Sequence, residues 1–186
     1  KFKNKKIGVF CGSRNTNSKE LENNILEIVT LFAKSDFDLV YGGSKRGIMG
    51  KVSEIFKNEN RQIIGVLPYK KLENEEVSEN LFRKIYTENL SDRKQKMIDL
   101  ADCFLILPGG VGTLDETFEI ITSNRMKFTN KKVAIFNCLG FFDHLIHQLE
   151  KMIEFGLLNK NIWEEIIIEN SPQKLFEKLN AEETSQ

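Results

Sequence analysis

Short apolar runs alternate along this chain with longer stretches in which apolar residues recur every three or four positions. The runs Ile7–Cys11, Phe37–Tyr41, Ile63–Leu67, Cys103–Leu107 and Val133–Asn137 have the length of strands buried on both faces. Between them, Ser18–Lys34, Ile48–Asn60, Ser91–Ala101, Thr113–Lys127, Phe141–Phe155 and Pro172–Asn180 read as helices. In the first of these, Leu21, Ile25, Ile28 and Phe32 fall on one face. Lys84–Tyr86 and Ile166–Ile168 are candidates for further strands. This alternation predicts an α/β fold, a parallel sheet with helices on both faces, because parallel neighbours need a crossover and the crossover helix covers the sheet.

The chain has 186 residues, which suits one domain spanning 1–186 with a single sizeable core. It shows no internal repeat, low-complexity segment or Pro/Gly-rich linker. The longest irregular region, about Pro68 to Asn80, is rich in Lys and Glu and reads as a solvated loop or a flap over a site.

Charge narrows the function classes. Lys plus Arg and Asp plus Glu both number 27. Without a basic excess, neither a nucleic-acid partner nor a membrane surface is expected. No apolar run approaches the ~18 residues of a membrane span, and the run after the basic Lys1–Lys6 is too short for a signal peptide. Cys11, Cys103 and Cys138 are odd in number, widely spaced and next to apolar runs. They read as reduced core thiols of a cytoplasmic protein.

Candidate chemistry collects in three glycine-rich turns, each after a predicted strand, where parallel sheets bind ligands. They are Gly12–Ser13, Gly42–Gly43–Ser44 and Pro108-Gly109-Gly110-Val111-Gly112-Thr113. In the third, the glycines allow close backbone approach, and the following helix offers free N–H groups and a positive dipole end to an anion. The second turn has the Gly42 and Gly47 spacing of a P-loop. However, Ile48 and Met49 stand where its Lys and Ser/Thr belong, so ATP hydrolysis loses support. No G-x-G-x-x-G fingerprint suggests a nicotinamide cofactor. A single phosphate fits best.

Arg93 and Lys94 lie in the first turn of a predicted helix, where cations oppose the dipole unless an anion faces them. The plain alternative is a solvated helix start. Glu116 likewise has two readings. Thr113-x-x-Glu116 matches a capping box, and a carboxylate just after an anion loop can also stabilise an oxocarbenium-like ribose and position a water. His144 and His147 are the only histidines, and no zinc-binding set accompanies them, so no metal is expected.

These motifs resemble a known family. Pro108-Gly109-Gly110-Val111-Gly112-Thr113-Leu114-Asp115-Glu116 looks like the P-G-G-x-G-T-x-x-E signature of the Lonely Guy family, cytokinin riboside 5′-monophosphate phosphoribohydrolases often mislabelled lysine decarboxylases. Gly42 to Gly50 resembles its G-G-G-x-x-G-L-M-G stretch, Leu90-Ser91-Asp92-Arg93-Lys94 its M-x-x-R-K, and Val9 to Ser13 its first strand and turn. The resemblance runs from about Lys5 to Leu179. It implies a Rossmann-like fold, no cofactor, a nucleoside monophosphate as small-molecule partner and a homodimer. Apolar residues beyond one core stripe, including Phe118, Met126 and Phe128, agree with the last.

The resemblance further implies Arg93 and Glu116 as the catalytic pair. The expected substrate-binding set is Gly12, Ser13, Gly43, Ser44, Glu75, Lys94, Gly109, Gly110, Val111, Gly112, Thr113, Asp115 and Thr122. Spacing points to Glu75 as the family's loop carboxylate, while the following Val77 favours Glu76. The sequence departs from the family at Ser44 for glycine, Leu90 for Met, Asp92 for Glu, and Ser123–Lys127 for Trp-x-Gln-Leu-Gly. The expected reaction is hydrolysis of AMP or an N6-substituted AMP to free base and ribose 5-phosphate. The rival readings are a non-catalytic carrier of a nucleotide-like cofactor such as molybdenum cofactor, and a pyridoxal-dependent lysine decarboxylase.

Overall fold

The computed structural model describes residues 4–69 and 76–181. Its strands are β1 Lys5–Phe10, β2 Phe37–Tyr41, β3 Ile63–Pro68, β4 Arg83–Thr87, β5 Cys103–Ile106, β6 Lys132–Phe136 and β7 Ile166–Glu169. Its helices are α1 Lys19–Lys34, α2 Gly47–Asn58, α3 Leu90–Leu100, α4 Val111–Arg125, α5 Asp143–Glu154, α6 Lys160–Glu164 and α7 Pro172–Asn180. Each predicted strand and helix is present, with ends shifted by at most two residues. The two further candidates, Lys84–Tyr86 and Ile166–Ile168, are β4 and β7, and the structure places them at the two edges of the sheet. The short α6 had no counterpart in the sequence reading, because five residues carry no helical period.

All seven strands run parallel in one sheet, in the order β4-β3-β2-β1-β5-β6-β7. Alternate side chains feed two cores. On one face, Ile7, Val9 and Cys11 pack with Ile25, Val29 and Phe32 of α1, Phe56 of α2 and Leu175 of α7. On the other, Phe10 stacks on Phe104 with ring centroids 5.1 Å apart, beneath Met97 of α3 and Ile120 of α4. Burying each such ring contributes about 1.5–3 kcal/mol over leaving it exposed.

The topology places the site. From β1 the chain winds outward to β4, then returns through α3 to β5 on the other side of β1. Phe10 pairs with Ile106 at the carboxyl ends of these neighbouring strands. Their following loops diverge in opposite directions and leave a crevice, the switch point at which such sheets bind ligands.

Candidate functional site

The two glycine-rich helix starts near the switch point differ in what their N–H groups meet. Neither α2 nor α4 has a side-chain cap. At α2, however, the chain closes the turn itself: Met49 N donates to Gly12 O at 3.2 Å, and Ile48 N donates to Arg14 O at 3.4 Å. At α4, Gly110 is the N-cap and the helix opens with Val111, Gly112 and Thr113, whose N–H groups no intrahelical carbonyl can reach. Of these two helix starts, α4 is the one whose first-turn N–H groups stay open to a ligand.

Glycine is required here for two different reasons. A Cβ on Gly109 would lie 2.1 Å from Thr113 Oγ1 and 2.9 Å from Gly12 N, so this glycine lets the loop fold under Thr113 and against the β1 turn. A Cβ on Gly110 or Gly112 would meet nothing within 4 Å. Protein packing does not demand these two glycines, whereas close approach of a ligand would.

A cleft of about 590 Å³ opens in front of α4, a size suited to a small-molecule ligand. Gly12, Ser13, Lys94, Gly110, Val111, Gly112, Thr113, Asp115 and the pair Arg93 and Glu116 line it. Arg93 Nη1 stands 3.6 Å from Glu116 Oε1, with both side chains about nine-tenths buried. Arg93 is anchored twice more. Nε donates to Val66 O at 2.9 Å and Nη2 to Gly42 O at 3.1 Å. Gly42 admits that guanidinium, since a Cβ there would lie 2.2 Å from Nη2. The second glycine turn thus seats an arginine.

The capping-box reading of Glu116 fails. Because α4 starts at Val111, Thr113 is inside the first turn and Glu116 lies well beyond capping range. The Thr113 carbonyl instead accepts from Thr117 Oγ1 at 2.6 Å. A helix side chain left to face a cleft and an arginine needs another explanation than capping.

Lys94 bridges to α4 as well. Its ammonium lies 2.8 Å from Asp115 Oδ1 and 2.9 Å from Glu119 Oε2. Burial works against its charge, but the hydrogen bonds it donates to Asp115 and Glu119 prevail and raise its pKa above the ordinary lysine value. α3 itself starts from an unforeseen cap, Asn89, whose side chain accepts from Asp92 N at 2.9 Å.

Other expected residues lie elsewhere. Gly43 packs against Leu67, and Ser44 is buried with its hydroxyl accepting from Arg46 N. The strand-like segment after residue 75 docks on this turn: Lys45 N donates to Glu76 O and Ser78 N to Gly43 O. The Glu76 carboxylate is paired with Lys45 at 2.6 Å and Arg46 at 3.6 Å. Glu75 lies outside the described residues. Thr122 is exposed on α4, eleven residues from Val111 and so about 16 Å along the axis. The helix holds it away from its own cleft.

The sequence reading missed Cys11, Arg14, Met49 and Leu90 as lining residues. Position two past the Gly12 turn was the available signal for Arg14. Cys11 is buried beneath the cleft, where desolvation and then the Glu116 charge push its thiol pKa up. Cys103 and Cys138 are also buried, and burial is the main cause that pushes their thiols to about 12 and about 11.

Comparison with known proteins places this site in a family. The model of the family described as "Possible lysine decarboxylase" matches residues 49–179. The Arabidopsis thaliana protein named cytokinin riboside 5′-monophosphate phosphoribohydrolase LOG1 is 33% identical over 94% of this chain and 82% of its own length. A probable enzyme of the same name from Oryza sativa subsp. japonica, LOGL6, is 32% identical over 95% of this chain and 71% of its own. Among solved structures, the molybdenum cofactor binding protein of Rippkaea orientalis superposes with a TM-score of 0.69 at 21% identity, covering 96% of this chain and 97% of that one. The molybdenum cofactor carrier protein of Chlamydomonas reinhardtii gives 0.68 at 17%, covering 95% and 96%. At such identities those two structures speak for the Rossmann-like fold alone. The motifs in the cleft, the family model and relatives at about one-third identity over nearly the whole chain agree, and the chain belongs to the Lonely Guy family.

Proposed function

We propose that this protein hydrolyses the bond between base and ribose in AMP or an N6-substituted AMP, releasing free base and ribose 5-phosphate. The observation that carries this reading is the buried Arg93–Glu116 pair, set in one cleft with the open N-terminus of α4. The phosphate sits on the Val111–Thr113 N–H groups. The C1′–N bond breaks, its electron pair leaves with the base, and the cation developing on the ribose faces the Glu116 carboxylate. Water adds to C1′ and gives a proton to Glu116, which releases it through solvent as the departing base takes up one proton, so one water is consumed and the carboxylate is restored. Arg93, tied to two backbone carbonyls, holds the Glu116 carboxylate in place across 3.6 Å.

The names of the relatives support the same reaction class. Within it, the preference for AMP or an N6-substituted AMP, a cytoplasmic setting for the buried thiols, and assembly as a homodimer through the exposed face of α4 belong to the same proposal. A carrier of molybdenum cofactor would need the fold and the anion loop but not an arginine–glutamate pair in the cleft. Lysine decarboxylation through pyridoxal phosphate needs a neutral amine to form the Schiff base. Lys94, the lysine lining this cleft, is held as an ammonium by two carboxylates, so the site does not fit that cofactor.

Incubation with AMP and with adenosine, followed by chromatography for adenine, tests the reading. Adenine should appear from AMP and far more slowly from adenosine, because phosphate binding energy supports the reacting centre. No adenine from any nucleoside monophosphate, or equal rates from adenosine, would overturn it.

A further inference from the structure

Among the described residues, three cations line the cleft, Arg14, Arg93 and Lys94. Two of them are already committed. Arg93 is held by Val66 O, Gly42 O and Glu116, and Lys94 by Asp115 and Glu119. These two positive charges therefore face three carboxylates, a poor setting for a phosphate dianion. Among the described residues, no carboxylate lies within ion-pair distance of Arg14.

We infer that Arg14 is the charge partner of the substrate phosphate and the residue that distinguishes nucleotide from nucleoside. This rests on the proposed phosphoribohydrolase reading and names the residue behind its phosphate dependence. The backbone beneath Arg14 is fixed, although its side chain is exposed. The Arg14 carbonyl accepts from Ile48 N at the start of α2, and Gly47 packs directly under it: a Cβ there would lie 2.5 Å from the Arg14 carbonyl carbon. Two residues earlier, Gly12 packs on Gly109 of the anion loop, where an added Cβ would sit 3.5 Å from the Gly109 Cα. The turn that carries Arg14 is thus braced between α2 and the loop ahead of α4. The α4 N–H groups orient a phosphate but supply only partial charge. A guanidinium adds a full charge and a planar fork of donors matched to phosphate oxygens. In this arrangement Arg14 binds substrate and Arg93 serves the chemistry.

The test compares Arg14→Gln and Arg14→Lys with the parent protein. Affinities for AMP, ribose 5-phosphate and adenosine are measured by calorimetry, alongside kcat/KM for adenine release from AMP. Arg14→Gln should weaken both phosphorylated ligands about 10- to 100-fold, as loss of a charge-assisted contact does. Adenosine affinity should stay within about twofold, and Arg14→Lys should recover much of the loss. Unchanged AMP affinity in Arg14→Gln, or an equal loss for adenosine, would overturn the assignment. So would a parent protein that binds neither AMP nor ribose 5-phosphate. If the parent binds AMP through Arg14 yet releases no adenine, the catalytic reading fails and the phosphate assignment stands.

Discussion

Arg93 reaches across from α3 to place Nη1 3.6 Å from Oε1 of Glu116 on α4, and only 11% and 10% of the two side chains is exposed. This relationship separates a chemical role for Glu116 from a structural one. With capping removed by the start of α4 at Val111, Glu116→Gln isolates the charge. The amide keeps an oxygen beside Arg93, so stability should change by at most about 1–2 kcal/mol. Turnover of AMP should fall about 100-fold or more, the scale of a positioned acid/base group. Steady-state kinetics beside a thermal melt checks this, and near-parental adenine release would remove Glu116 from the mechanism.

Gly42 and Gly112 predict opposite consequences for the same added methyl. In Gly42→Ala the new carbon meets Arg93 Nη2 at 2.2 Å and Met49 Cε at 2.3 Å, so Arg93 must leave its carbonyl anchor. Stability and turnover should both drop. In Gly112→Ala the carbon enters open space and alanine is the better helix former by roughly 0.8–1 kcal/mol. Melting temperature should hold or rise while AMP affinity falls. A Gly112→Ala protein that binds AMP normally would show that no ligand approaches the start of α4.

The fold was legible because its signals are local and repeated. The run Cys103–Ile106 is uninterrupted, Phe37–Tyr41 is broken only by Asp38, both are fully buried, and α1 carries its apolar face in register. The glycine-rich turn into α4 was legible for the same reason: three glycines in four residues follow a buried strand. Relationships across the sheet were not. Nothing near Gly42 indicates that its lack of a side chain makes room for Arg93, fifty-one residues away. Nor does the sequence around Lys94 show that Asp115 and Glu119 occupy its ammonium, leaving Arg14, among the described residues, as the uncommitted cation in the cleft. The helix start moved by two residues, from Thr113 to Val111, and that small shift turned a plausible cap into a cleft residue. Thr122 was matched to the family by sequence, yet helical rise carries it beyond reach of its own cleft.

The cysteines should be inert in the native protein. Cys11, Cys103 and Cys138 are at most 6% exposed, and burial holds their thiols well above the pKa of a free cysteine. The thiolate is the reactive form, so at pH 8 essentially none is available. Iodoacetamide at that pH should leave all three unmodified by intact mass and label all three in denaturant. Rapid native labelling of Cys11 would show that the cleft floor opens.

Assembly makes the last prediction. Phe118, Thr122 and Met126 follow one another at four-residue spacing along α4, and all three are exposed. Phe128, just past the helix, is 82% exposed. One helix face with two large apolar side chains, continued by a third, is poorly suited to water, and a two-fold contact of α4 with its copy would cover it. Light scattering at micromolar concentration should give about twice the 21.5 kDa of one chain. Phe118→Lys combined with Met126→Lys should return a monomer, because each interface would then bring like charges together and bury them. These side chains lie outside the two cores, so the double variant should keep a cooperative melt. A parent protein that is monomeric across the concentration range would overturn the α4 interface, and a variant that remains dimeric would place the contact on another face.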